Sequence, residues 1–235
     1  MNTENILSLF NDYNIKITSK NAEKLVKFNE IMQNYNKIHN LTSITDNNEV
    51  LIKHLLDSVL PYKIFNENQK IIDIGCGAGF PSIPLSIIND NLHITALDSV
   101  QKKINFVNIA KNELNLPNLT PIHARIEEFA NNTNFRESFD IVISRAVAPL
   151  NIILEYSAPL LKNGGYIVAY KGSNYNEEID NAKNALKLLD CHIDEIIEYP
   201  VKELETSRFV LKIRKNSKIT NKYPRKGNKP RLQPL

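Results

Sequence analysis

Cysteine is nearly absent: Cys76 and Cys191 are the only two among 235 residues. Two thiols cannot build a disulfide framework or fill a four-ligand zinc cluster, so both are expected to be reduced. Long apolar runs are missing too. No stretch approaches the roughly 20 residues that a membrane helix needs. The N-terminus, MNTENILSLFNDYN, has acids and asparagines where a secretion signal has an apolar run. These absences predict a cytoplasmic chain that stays off the membrane. Acids vanish after residue 205, while Arg208, Lys212, Arg214, Lys215, Lys218, Lys222, Arg225, Lys226, Lys229 and Arg231 follow, giving +10 there against −7 for residues 1 to 205. Glycine is scarce as well, with seven in all, yet Gly75, Gly77 and Gly79 fall within five residues. That cluster needs a backbone reason.

What is present is globular in character, with 42% hydrophobic and 23% charged residues, which excludes collagen-like and wholly disordered chains. The length allows one large domain with an appendage. Asparagine is very frequent, at 32 residues, and is spread evenly enough to read as a compositional bias. Between Ser19 and Ile38, apolar residues at Ala22, Leu25, Val26, Phe28, Ile31, Met32, Tyr35 and Ile38 recur at helical spacing. Val50 to Leu60 repeats the pattern. From Lys70 the period changes. KIIDIG, HITALD, LTPIHA, FDIVISRA, GYIVAYKG, CHIDEIIEYPV and SRFVLKIRK read as seven strands, most of them separated by helical patterns. Alternating strands and helices predict crossover connections and a mainly parallel sheet. The last two strands have no helix between them and predict an antiparallel hairpin. The expected organisation is a helical N-terminal extension over 1–65, a Rossmann-like α/β domain over 66–215 and a basic tail over 216–235. In the tail, Pro224, Gly227, Pro230 and Pro234 argue against a helix or central strand, leaving either solvated disorder or an arm that neutralises phosphates.

The chemistry concentrates in Asp73-Ile74-Gly75-Cys76-Gly77-Ala78-Gly79-Phe80, where the first strand turns into a helix. Glycines there admit positive φ and close approach of a ligand, with amides at the helix start expected to point toward it. Asp98 closes the next strand, placed to accept hydrogen bonds from both hydroxyls of a ribose; its alternative is a helix cap near Ser99. A dinucleotide fingerprint would require glycine where Phe80 stands, and no G-x-x-x-x-G-K-[ST] is present. S-adenosylmethionine suits the pattern better, since an activated sulfonium needs only an aligned nucleophile and exclusion of water. After the fourth strand stands Ser144-Arg145-Ala146-Val147 in place of the [DN]-P-P-[YFW] used to methylate amino groups, and no cysteine lies close enough for cytosine carbon methylation. A ring nitrogen with a free lone pair needs no general base, and Arg145 can orient a base by paired hydrogen bonds or stacking.

DIGCGAGFPSIPL, ALDSVQKKINFV, ISRAVAPL, AYKG and KYPRKGNKP, with YNKIHNLTSIT and VLIKHLLDSVLPY upstream, resemble the bacterial small-subunit (16S) ribosomal RNA guanine-N7 methyltransferases, also called glucose-inhibited division protein B. The resemblance runs from about Tyr35 to the end. It implies a class I S-adenosylmethionine-dependent methyltransferase fold with a seven-stranded, mostly parallel sheet. It also implies that Gly75 and Phe80 contact the cofactor within the Gly75, Gly77, Gly79 bend and that Asp98 is the ribose acid. Ile126 and Glu127 would hold the adenine, and Arg145 would stand at the methyl-transfer site. Ser82 departs from the family, many members of which have glycine there. Asn40, His54 and Asp57 lie in the family-specific segments and are expected beside an RNA cleft, although Asn40 also reads as a helix cap and His54 with Asp57 as a surface pair. Arg125, Lys171, Arg225 and Lys226 are candidate RNA contacts. The implied partner is small-subunit ribosomal RNA or the 30S subunit, with the protein a monomer and no metal in the site. The rivals are a small-molecule methyltransferase and a non-catalytic RNA-binding or assembly protein; deleting Thr220 to Leu235 is expected to leave the first active and to weaken an RNA enzyme.

Overall fold

The computed structural model describes residues 1–235. Seven strands follow along the chain: β1 (Lys70–Ile74), β2 (His93–Asp98), β3 (Leu119–His123), β4 (Phe139–Arg145), β5 (Leu161–Lys171), β6 (Cys191–Tyr199) and β7 (Arg208–Lys215). The helices are α1 (Thr3–Asp12), α2 (Ser19–His39), α3 (Asn47–Val50), α4 (Asp57–Val59), α5 (Ser82–Ile88), α6 (Gln101–Leu114), α7 (Ile126–Asn131), α8 (Leu150–Ser157), α9 (Tyr175–Leu188) and α10 (Lys229–Leu232). A π-helical stretch, Leu51–Leu56, joins α3 to α4. The strands form one sheet in the order β3-β2-β1-β4-β5-β7-β6. The β2–β3, β1–β4 and β4–β5 pairs are parallel, and β7 is antiparallel to both β5 and β6. The expected seven strands and terminal hairpin are therefore present, and no helix is long and apolar enough to cross a membrane.

The chain divides into two compact units, Met1–Asn68 with Cys76–His123, and Gln69–Gly75 with Ala124–Leu235. In the first, the N-terminal helices group with β2, β3, α5 and α6 instead of standing apart. Thr18 starts α2 by accepting a hydrogen bond from the Asn21 amide, and Ala22, Leu25, Phe28 and Met32 form its buried stripe. Phe28 meets Phe80 at 5.2 Å and Phe106 of α6 at 6.2 Å, an aromatic seam. Ile38, expected in the same stripe, is 77% exposed. Asn40 then ends α2 in the left-handed conformation with φ +47°, which asparagine tolerates better than most residues.

The second unit holds β1, β4, β5, β7 and β6 with α7 to α10, and it corrects the expectation for the tail. Ile219, Tyr223, Pro224 and Pro230 are buried. Arg136 donates to the carbonyls of Ile219, Thr220 and Tyr223, and Asn131 donates to that of Pro224. Lys229–Leu232 is one turn of helix with proline in its first turn, where no amide is missed. The last twenty residues form a strap fastened to the unit.

Candidate active site

In the first unit the glycine bend is a closed hydrogen-bonded turn. The Cys76 amide donates to the carbonyl of Leu97, and the amides of Gly79 and Phe80 both donate to the carbonyl of Cys76. The Gly77 amide donates to Asp98 Oδ2 at 3.0 Å. These four amides are engaged within the protein. A phosphate needs such donors free, whereas a cationic ligand can use carbonyls and bare Cα surface. Gly77 provides that surface: its φ is +58°, and a Cβ placed there would meet no atom within 4 Å. A side chain at this position would project into open space. Asp98 is 6% exposed, and its other oxygen accepts from the Val100 amide at 2.8 Å while Lys103 stands 3.8 Å away. One carboxylate thus ties the bend to the residue that precedes α6, although α6 itself begins without a side-chain cap. Each oxygen accepts one backbone hydrogen bond, and a carboxylate has about four acceptor positions, so capacity for ribose hydroxyls remains.

Asp57 does not lie on the surface, where one expectation placed it with His54. Asp57 is 7% exposed, and the His54 ring stacks on Phe80 at 4.5 Å between centroids. His54 Nδ1 faces the Lys53 carbonyl at 3.2 Å, and Nε2 lies within hydrogen-bond distance of the Thr42 hydroxyl at 3.1 Å. Asn36 Oδ1 accepts from the amides of Leu41 and Thr42. The family-specific segments around Asn40 and His54 are therefore bonded to each other and braced behind Phe80, with Asn40 itself exposed.

In the second unit, β1 and β4 are neighbours at the point where the strand order reverses, the place at which open α/β sheets bind ligands beyond the carboxyl ends of their strands. Asp73 of β1 is fully buried there. Gly75 has φ +74°, and an added Cβ would fall 2.8 Å from Val147 Cγ2. Arg145 ends β4, half-buried, and Ala146 turns the chain with φ +56°. Ile126 and Glu127 form the first turn of α7; Ile126 is buried, and the Glu127 side chain is 12% exposed with Arg125 Nε at 3.5 Å.

Lys171 and Arg225 have partners other than the phosphates expected for them. Lys171 Nζ lies 2.5 Å from Glu178 Oε2, and its side chain is 7% exposed. Arg225 makes a two-pronged contact with Glu155, Nε to Oε1 at 2.8 Å and Nη2 to Oε2 at 2.7 Å, while its backbone amide also donates to Oε1. Glu155 is fully buried, and its hydrogen bond pushes the Arg225 guanidinium pKa above the ordinary value. Arg125 and Lys226 keep exposed charges. Both cysteines are free and buried, and burial pushes the Cys191 thiol up to about 12, which removes it as a nucleophile at neutral pH. No group of three or more His, Cys, Asp or Glu side chains is arranged to hold a metal ion. The sequence reading passed over Val147, Glu155 and Glu178. The signal for Glu155 was a single acid inside the apolar run NIILEYSAPLL.

A family model described as GidB, rRNA small subunit methyltransferase G, matches residues 21–210. The chain belongs to this family. It is 38% identical over 238 residues to the ribosomal RNA small subunit methyltransferase G of Streptococcus gordonii, covering all of both chains. To the protein of the same name from Clostridium tetani it is 38% identical over 230 residues, 97% of this chain and 96% of the other. Among solved structures, M. jannaschii TYW2 in complex with AdoMet superposes with a TM-score of 0.52 at 19% identity, over 68% of this chain and 76% of that one. An Aquifex aeolicus SAM-dependent methyltransferase gives 0.53 at 16%, over 72% and 93%. These two likenesses concern the fold, which is the Rossmann-like class I methyltransferase sheet.

Proposed function

We infer that this protein transfers the methyl group of S-adenosylmethionine to N7 of a guanine in small-subunit ribosomal RNA. Membership of the GidB family supports the substrate. The observation that carries the cofactor is the glycine bend, whose engaged amides and bare Gly77 surface favour a cationic nucleoside over a phosphorylated one. The bound cofactor supplies a methyl group already activated by its sulfonium. In this proposal Gly75, Gly77, Gly79 and Phe80 shape the cradle, Asp98 accepts from the ribose hydroxyls, and Ile126 with Glu127 holds the adenine. Arg145, at the end of β4, orients the guanine. N7 has its own lone pair, so the protein has to align and desolvate the acceptor and need not remove a proton from it. The base must be unstacked for the protein to reach it. Asn40, His54 and Asp57 then support the RNA-facing side through Phe80, while Arg125 and Lys226 meet phosphates. A ribosomal substrate places this work in the cytoplasm, and we take the active species to be a single chain.

Incubating purified protein with methyl-labelled S-adenosylmethionine and 30S subunits or their RNA tests the reading. Label should enter the RNA and be recovered as N7-methylguanosine after digestion. Label recovered in another nucleoside, or none transferred to any of these substrates, contradicts it.

A further inference from the structure

The chain from Ala146 to Leu150 leaves the carboxyl end of β4 at the sheet's reversal point, beginning with a left-handed alanine at φ +56°. Only glycine adopts that conformation without cost, so its surroundings must hold it. One partly buried ion pair holds the far half of this loop. The Leu150 amide donates to Glu178 Oε2 at 3.0 Å, and the same oxygen receives Lys171 Nζ at 2.5 Å. Lys171 Nζ also reaches the Ala148 carbonyl at 3.4 Å. No side chain from the loop itself caps α8 at Pro149, so the cap comes from Glu178 on α9. At the other end, Arg145 is in register with Tyr170, the residue before Lys171 on β5. Between these fixed ends stands Val147, close against Gly75.

We propose that Lys171 and Glu178 are positioning residues for methyl transfer, holding loop 146–150 so that Val147 backs the glycine bend and Arg145 presents its guanidinium to the acceptor base. The proposal rests on the function inferred above. It differs from a phosphate-contact role for Lys171 in what it predicts. A phosphate contact acts on RNA affinity and its salt dependence, whereas a loop clamp acts on the rate once both substrates are bound.

The test is methyl transfer to small-subunit RNA by the unaltered chain, Lys171→Met, Glu178→Gln and the double variant Lys171→Met/Glu178→Leu. Rates are measured at saturating RNA and cofactor, beside the KM for RNA at several salt concentrations and the calorimetric affinity for S-adenosylmethionine. Single variants should lose about 10- to 100-fold in rate, as misplaced reacting groups do, while both affinities stay within about threefold. The double variant replaces the pair by apolar groups that a buried site accepts, so it should fold and bind cofactor. It should still turn over slowly, because the Ala148 carbonyl and Leu150 amide have lost their partners. A double variant at full rate overturns the proposal, as does a Lys171→Met defect confined to RNA affinity and its salt slope. An unaltered chain that transfers no methyl at all overturns the functional reading itself, a result distinct from an active unaltered chain matched by its variants.

Discussion

At the residue scale, the proposed cofactor cradle turns on the side chains of Val147 and Asp98 and on the side chain that Gly75 lacks. Gly75 combines a left-handed φ with a Cβ position 2.8 Å from Val147 Cγ2. Gly75→Ala should therefore weaken S-adenosylmethionine binding by at least about tenfold, since even 1.4 kcal/mol of strain has that effect. Adding Val147→Ala should recover part of the loss by removing the clash while leaving the conformational strain. Calorimetric titration of the two variants checks both statements. Asp98 faces a different demand, because its carboxylate ties the Gly77 and Val100 amides together. Asp98→Ala should weaken the same ligand about 10- to 100-fold, in line with 1.5–3 kcal/mol for a hydrogen bond to a charged group. Unchanged affinity in that variant would remove Asp98 from the site. The glycine spacing and the acid closing the second strand were legible from sequence because each depends on local backbone geometry. The engagement of the amides was not, since it depends on how Leu97 and Asp98 meet the bend.

At the scale of elements, the alternation of strands and helices followed from hydrophobic period alone, and the terminal hairpin followed from the absence of a helix between the last two apolar runs. Where period misleads, a specific backbone feature intervenes. β5 starts at Leu161, ahead of the expected GYIVAYKG, because Gly164 at φ +77° and Gly165, packed on the Asp140 carbonyl, let Lys162-Asn163-Gly164-Gly165 continue the strand through a register shift. The π-helical Leu51–Leu56 keeps an ordinary apolar pattern and leaves no mark in the sequence. The strap was hidden for another reason: counting its charges shows six cations and says nothing of the acid awaiting Arg225 inside α8. With Glu155 fully buried, Arg225→Ala strands a charge. The expected cost is about 3 to 5 kcal/mol, read as a lower denaturant midpoint, while Lys226→Ala, at an exposed position, should move the midpoint little.

At the scale of the whole molecule, the strap alters what a truncation can reveal. Removing residues 220–235 takes away Arg225 and the Thr220 and Tyr223 carbonyls to which Arg136 donates, so the shortened chain should lose stability along with activity. That outcome cannot separate an RNA enzyme from one acting on a small molecule. Neutralising exposed charges can. The combined variant Arg125→Gln/Lys226→Gln should keep the stability and cofactor affinity of the unaltered chain. Its RNA affinity should fall with a shallower salt dependence, by up to about 0.9 in slope per lost phosphate contact. Unchanged RNA affinity would move the RNA surface elsewhere on the protein.

The most direct measurement is mass-spectrometric mapping of small-subunit ribosomal RNA from cells with and without this protein. The account predicts that one guanine bearing an N7 methyl group in the first sample is unmodified in the second and regains its methyl when the unaltered gene is restored, but not when Gly75→Ala is supplied. Identical guanine methylation in the two samples would contradict it.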